Sequence, residues 1–358
     1  MKKLCLPLLA VCLALTGCAG LPVSREMGDM ALLRAMGVDA ASGGVAVTGS
    51  TGPRAKGLQA EGESALTLAA DRASLSAACL AMQGQSDSYV FFGYVDQLLL
   101  GEELARQGVQ PVLDYFARDG ELGLGAQLWL VRGGTAREAV NSGGGEGVDK
   151  RLQTLQTDSR MGIASITRTA GEIYTDLLEQ GAAFAPALVL SGGEESVLTE
   201  GGYGIFKDGA LMGFLEGEAA KGLELLYGGL FEDVLEVELP GNKTALRIGS
   251  ARTSSRLVFQ GDVPTVLHIT CEVKASLSEY QVQPGASETE KLKEALRARE
   301  VTRLERALER LQSWGADCAG LGARAAMACP ARWQAVEGVW AEWFARVPID
   351  VTVKVRLL

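Results

Sequence analysis

Residues 349–357 read Ile-Asp-Val-Thr-Val-Lys-Val-Arg-Leu. Ile349, Val351, Val353, Val355 and Leu357 alternate with Asp350, Thr352, Lys354 and Arg356, the two-residue period of a strand with one face buried. Helical stretches lie directly before it. Pro330 opens a helix that places Trp333, Val336, Trp340 and Trp343 on one face. Ser287 to Leu311 is a long charged helix, supported by the i,i+3 pairs Glu290/Lys293, Glu294/Arg297 and Glu300/Arg303. Its second half sets Val301, Leu304, Leu308 and Leu311 on one stripe. Val266 to Leu277 is a further strand. The end of the chain therefore mixes helices and strands.

Working back from there, Thr244 to Ile248 and Val234 to Leu239 flank Pro240-Gly241-Asn242-Lys243 as a hairpin. A helix runs from Glu216 to about Tyr227. Tyr203 to Phe206 and Leu211 to Leu215 flank Lys207-Asp208-Gly209, where Asp-Gly is the turn signal. In the first half, Ala31 to Val38 and Val45 to Ser50 form a hairpin. Ala65 to Met82, rich in Ala and Leu without a breaker, predicts a helix. Tyr89 to Leu100 and Gln127 to Val131 are strand-like, as is Ala187 to Leu190. Between them come helices over Glu102 to Arg106, Pro111 to Arg118 and Thr135 to Val140, a flexible Ser142 to Gly147 loop, and helices to about Gln180. This succession resembles an α/β layout more than an all-β one.

At the far end, Lys2 and Lys3 precede an apolar run from Leu4 to Leu15, and Leu15-Thr16-Gly17-Cys18 closes it. That is a secretory signal, too short for a permanent membrane helix, which needs ~20 apolar residues. A cysteine after Leu-Thr-Gly makes it a lipobox. The expected chemistry is diacylglyceryl transfer to the Cys18 sulfur and cleavage after Gly17, and two acyl chains give stable anchoring. No later stretch reaches ~18 apolar residues. The nearest, Ala182 to Leu190, holds Pro186.

The chain of 358 residues has 34 basic and 44 acidic side chains. Loss of Lys2 and Lys3 with the signal leaves 32 against 44, or −12. Such acidity argues against nucleic acid, which is bound through Lys/Arg–phosphate contacts, and against polybasic docking on anionic lipid. Forty-five glycines without a period point to many short elements and tight turns. After the signal and Cys18, Cys79, Cys271, Cys318 and Cys329 remain, with no C-x-x-C pair. Cys318 and Cys329 form either a disulfide or two buried thiols.

A catalytic constellation is not assembled. The single histidine, His268, falls with Thr270 and Glu272 on the polar face of its strand, and no Gly-x-Ser-x-Gly elbow accompanies it. One histidine and scattered thiols do not supply zinc spacing. Gly241-Asn242-Lys243-Thr244 lacks the glycine before lysine that a phosphate loop requires. Glu102/Glu103 and Glu194/Glu195 are adjacent carboxylates on solvated surface, and the tryptophan stripe reads as core. No metal ligand, cofactor site or catalytic residue is expected.

The order of these segments resembles the Ger(x)C family, the lipoprotein C subunits of nutrient germinant receptors in spore-forming bacteria. The resemblance lies in Arg25-Glu26-Met27 after the lipid cysteine, in Met36-Gly37-Val38-Asp39, and most clearly from Gly101 to Val140. It continues in Gly204-Ile205-Phe206-Lys207-Asp208-Gly209 with Leu211-Met212-Gly213, and in Asp317, Pro330, Trp333, Trp340 and the last strand. Ala19-Gly20 and Gly93-Tyr94 depart from the Trp-Asp and Gly-His common in the family. The resemblance implies an α+β fold of three small domains, each a sheet with surrounding helices, after the signal peptide of residues 1–17. We place these domains at 18–190, 191–251 and 252–358. It also implies tethering through Cys18 to the outer face of the spore inner membrane, and assembly with an A-type subunit and a transporter-like B-type subunit. The nutrient would be read chiefly through the B subunit. A solute-binding lipoprotein of an ABC importer is the alternative, and would have two α/β lobes around a ligand cleft.

Overall fold

The computed structural model describes residues 30–53, 64–192, 196–240, 242–261 and 263–358. The signal, Cys18, Arg25-Glu26-Met27, Glu194/Glu195 and Gly241 lie outside the described residues.

The opening hairpin forms as expected from β1 (Met30–Ala41) and β2 (Gly44–Thr51). Ala65 to Met82 does not form one helix. Thr67–Arg72 is β3, antiparallel to β2, and only Leu75–Gln83 is helical (α1). Edge pairing to β2 overrides the helix propensity of Leu68, Ala69 and Ala70. Helix starts only where the Ser74 hydroxyl accepts from Ala77 N–H at 3.3 Å. The expected strand Tyr89 to Leu100 is two strands, β4 (Tyr89–Phe91) and β5 (Gln97–Gly101), each parallel to a different part of β1. A turn in which Val95 N–H meets Phe92 O separates them.

The short helices α2 (Glu102–Gln107) and α3 (Gln110–Arg118) follow, then β6 (Gln127–Val131) and α4 (Ala136–Asn141). Within the expected Ser142 to Gly147 loop, Gly144–Glu146 make a 3-10 turn, and Gly145 O accepts from Ala65 N–H at 2.7 Å. Next come α5 (Asp149–Arg160), α6 (Ala170–Gln180) and β7 (Ala182–Leu190). β7 starts five residues before the expected Ala187. It tolerates Pro186 because its pairing with the next strand is irregular between Pro186 and Leu188. Among the described residues no helix is long and apolar enough to cross a membrane.

β8 (Leu198–Lys207) and β9 (Ala210–Leu215) are the expected Asp-Gly hairpin, with Asp208 at φ 50°. They pair onto β7 and complete a nine-stranded sheet of order β3-β2-β1-β5-β6-β7-β8-β9, with β4 alongside β1. α7 (Gly217–Tyr227) leads into a second sheet of β10 (Gly229–Leu239), β11 (Asn242–Gln260), β12 (Val263–Tyr280) and β13 (Ile349–Leu357), in that order. β11 runs unbroken past residue 251. The segment 191–251, expected as a domain of its own, is thus divided between two sheets. Hairpin pairing to β7 claims its first part, and pairing to β12 its last.

α8 (Ala286–Trp314) bridges β12 to β13, which lie parallel. The expected last helix is broken into α10 (Pro330–Trp333), a 3-10 turn at Glu337–Val339 and α11 (Trp340–Phe344), after an unanticipated α9 (Leu321–Ala328). Val336 and Val339 flank Gly338 with non-helical φ of −120° and −126°. Gly338 and these β-branched residues interrupt the helix at the point where Trp340 must turn inward.

Among the described residues three apolar cores result. Two cover opposite faces of the first sheet. One is built with α1, α2, α3 and α6, the other with α4 and α5. The third joins one face of β7–β9 to α7, α8, α9 and the inner face of the second sheet. Strands β7–β9 therefore belong to both halves: Phe206 and Leu211 face one core, Phe184 and Ile205 the other.

Candidate functional site

The structure puts His268 on the outer face of β12, as the alternation predicts. It adds a partner that the alternation does not reveal. His268 Nδ1 lies 2.8 Å from Asp350 Oδ2, directly across in β13, with both side chains well exposed. The neighbouring Ser254 hydroxyl donates to Thr270 O at 3.5 Å. Cys79, Cys271, Cys318 and Cys329 are all free thiols, three of them buried and Cys329 half-buried. Burial pushes the Cys79 and Cys271 thiols up to about 11. Among the described residues no three His, Cys, Asp or Glu side chains converge as a metal site.

Open sheets with parallel strands bind ligands at the strands' C-terminal ends, where a helix N-terminus offers N–H groups to an anion. Here that position lies after β6, where Gly133-Gly134-Thr135 leads into α4. It is filled from within. Asp39, at the end of β1, accepts from Ala136 N–H through Oδ1 (2.7 Å) and from Arg137 N–H through Oδ2 (2.9 Å). Gly101, at the end of β5, is required by this contact, since a Cβ there would overlap Asp39 Oδ1. Asp39 is buried. Desolvation raises its carboxyl above the ordinary value, against the two N–H bonds and the Arg137 charge. Thr135 and Glu138 close a reciprocal capping box over the same turn, and the backbone and hydroxyl of Thr135 hold the Glu138 carboxyl below its usual range. The Thr-x-x-Glu spacing was readable as a helix start. Asp39 itself had no local signal, because its partners lie nearly a hundred residues away.

The seam between the halves carries further buried polar groups. Tyr203 of β8 is fully buried. Its hydroxyl donates to Glu224 of α7 at 2.8 Å and accepts from Ile166 N–H at 2.7 Å. Burial raises both Tyr203 and Glu224, and Lys221 at 2.9 Å offsets part of this for Glu224. Arg168 pairs with Asp176 at 2.7 Å and stacks 4.8 Å from the Phe184 ring centroid. Lys207 donates to Trp314 O at 3.0 Å, tying β8 to the end of α8. On α8, Glu300 and Arg303 are more than the surface pair that their spacing suggests. Glu300 is completely buried, and the Arg303 guanidinium also reaches Glu218 (2.7 Å) and Asp233 (2.5 Å).

Asp317 gathers the tail. Its buried carboxylate accepts from Leu321 N–H (2.8 Å), Gly322 N–H (2.7 Å) and Trp340 Nε1–H (2.8 Å). Desolvation raises its pKa, with these three bonds opposing. The Trp340 and Trp333 ring centroids lie 5.2 Å apart with their planes tilted, so the tryptophan stripe is core, although its helix is broken. The seam and the tail use their buried charge to hold elements together.

Residues 24–190 match a family model described as "Spore germination protein N-terminal domain". Residues 201–358 match one described as "Spore germination B3/ GerAC like, C-terminal". Spore germination protein B3 of Bacillus subtilis (strain 168) is 24% identical over 288 residues, spanning 76% of this chain and 75% of that protein. The fold is similar to that of the crystal structure of the GerBC protein, with a TM-score of 0.61 and 20% identity. That similarity covers 90% of this chain and 96% of the other.

Proposed function

The chain belongs to the Ger(x)C family, and on that footing we propose that it is the C subunit of a spore nutrient germinant receptor. The observation that carries this reading is the collinear match of the two germination family models to residues 24–190 and 201–358. In this reading Cys18 bears the diacylglyceryl anchor at the outer face of the spore inner membrane. The folded halves contact an A-type and a transporter-like B-type membrane subunit, and the protein acts without catalysing a reaction. The shared strands β7–β9 suit such a role. A displacement at one half passes to the other through packed side chains and not through a flexible linker. A solute-binding lipoprotein would instead need two lobes free to close on a cleft. The common core around Phe184, Tyr203 and Leu223 opposes that freedom.

The test is affinity purification of the tagged protein from detergent-solubilised spore membranes, with mass spectrometry of its companions. Two multi-spanning proteins, one transporter-like, are expected. Recovery of an ABC permease and ATPase in their place overturns the proposal. For the anchor, Cys18→Ala is expected to leave the signal uncleaved or the protein outside the membrane fraction. A processed, membrane-retained variant would refute the role of Cys18.

A further inference from the structure

The chain carries a net charge of −10, yet one place on it is strongly basic. Among the described residues no helix lies over the outer face of the second sheet. Across its strands Arg252 of β11, Glu272 of β12 and Lys354 of β13 lie in register, and in the next row Lys274 faces Arg356. All five side chains are exposed. Arg252, Lys274, Lys354 and Arg356 form no ion pair among the described residues, so four cations surround one carboxylate.

An open cleft of about 940 Å³ borders this cluster, rimmed by the Tyr227–Gly229 turn. Arg324 also lines it. That guanidinium donates to Leu226 O at 2.7 Å and Ala319 O at 2.8 Å, which fixes a fifth positive charge in place. Gathering like charges is unfavourable for the isolated fold, and this arrangement concentrates them where the chain's acids could have been interspersed.

We propose that this cleft binds an extended acidic segment, rich in Asp and Glu, of a partner protein. The spacing favours an extended chain. Adjacent strands lie about 4.8 Å apart, and alternate residues along a strand about 6.7 Å apart. The two rows of cations are thus separated by the interval at which an extended peptide presents every second side chain on one face. The electrostatic range separates a segment from a membrane. At physiological salt charges are felt over roughly 8 Å. A segment in the cleft meets mainly the local positive field, whereas an anionic bilayer, as a plane, also meets the acidic remainder of the molecule. Two rows of cations also exceed what a single small anion would span. The proposal does not depend on the germination reading, since it rests on the face itself.

The test uses the full chain in neutral detergent micelles and a fluorescein-labelled octaglutamate peptide, read by anisotropy. Expected is saturable binding that weakens more than tenfold in the triple variant Arg252→Ser, Lys274→Ser, Arg356→Ser, and that disappears at high salt. An octalysine peptide should bind more weakly than octaglutamate. These side chains are exposed, so the variant's thermal melt should match the parent's and separate lost binding from lost folding. No binding of octaglutamate, or binding within twofold in the triple variant, overturns the proposal. It is equally overturned if millimolar inorganic phosphate displaces the peptide completely, which would mark a small-anion site. Displacement by phosphatidylserine added to the micelles, with phosphate inert, would assign the face to lipid and overturn it too.

Discussion

In the middle of the first sheet, every residue of β5 is buried and four of the five in β6 are, whereas β13 exposes every second residue. The contrast follows from connectivity. Parallel strands such as β1, β5 and β6 are joined by crossovers whose helices cover both faces, so their side chains are apolar without alternation. The second sheet is mostly antiparallel hairpin. Helices α7, α8 and α9 cover one face, and among the described residues the other faces solvent with its charges. The first half has used its surfaces internally, down to the helix N-terminus filled by Asp39. The second keeps a broad face available for contact. Between them, β7 over residues 182–188 and β8 over residues 203–206 are largely buried on both sides, once by each half.

If the seam makes the halves one unit, Phe184→Ala should be the costliest change. Removing this fully buried ring is expected to lose about 3–5 kcal/mol. Denaturation followed through Trp129 in the first half and Trp340 in the second should still show one transition. Two separated transitions would break the picture of shared strands.

Asp317→Ala tests whether the second half has its own organising centre. It leaves three buried donors without an acceptor and is expected to cost about 3 kcal/mol. Hydrogen exchange should rise around Leu321 and Trp340 and not in β5 or β6. A uniform rise would argue against a local centre. Asp39→Ala is the counterpart in the first half. With two backbone N–H groups of α4 unmatched, about 1–2 kcal/mol is expected, with the lost protection confined to the start of α4. Equal stability of variant and parent would remove Asp39 from its proposed place.

The smallest effect concerns Glu218, whose carboxyl is held below its usual range by the hydrogen bond from Arg303. Because the folded value is lowered, the carboxylate stabilises the fold above its unfolded value of 4.5 and loses that contribution as pH falls through the folded value. The parent should therefore exceed Glu218→Gln by at most about 1 kcal/mol near pH 7, since Glu218 is partly exposed. The two should converge under acid. Thermal melts between pH 3 and pH 7 check this. A gap that widens on acidification would have the wrong sign.

Much of the fold was legible because its signals are local. The period of β13, the Asp-Gly turn at Asp208 and the pairs along α8 each lie within a few residues. The β3 segment carries a helical signal because Leu68, Ala69 and Ala70 favour helix when β2 is not in view. The strand signal of β11 fades early in sequence because Arg252, Ser254 and Arg256 are polar. They face solvent on the open side of the sheet while Ala251, Ser255 and Leu257 are buried. At the candidate site the surface setting of His268 was legible, but the register that brings Asp350 to it was not.

The sequence by itself determined the family, the mixture of helix and strand, the positions of most elements and the expectation of an anchor at Cys18, because each rests on short-range order or on collinear similarity. Only the tertiary structure decided that 191–251 is divided between two sheets, that Asp39 occupies the end of the parallel strands, and that Glu300 and Arg303 are buried. It also brought Arg252, Lys274 and Arg356 together on one open face. These depend on strand register and helix packing between residues up to about a hundred positions apart, which no local period encodes.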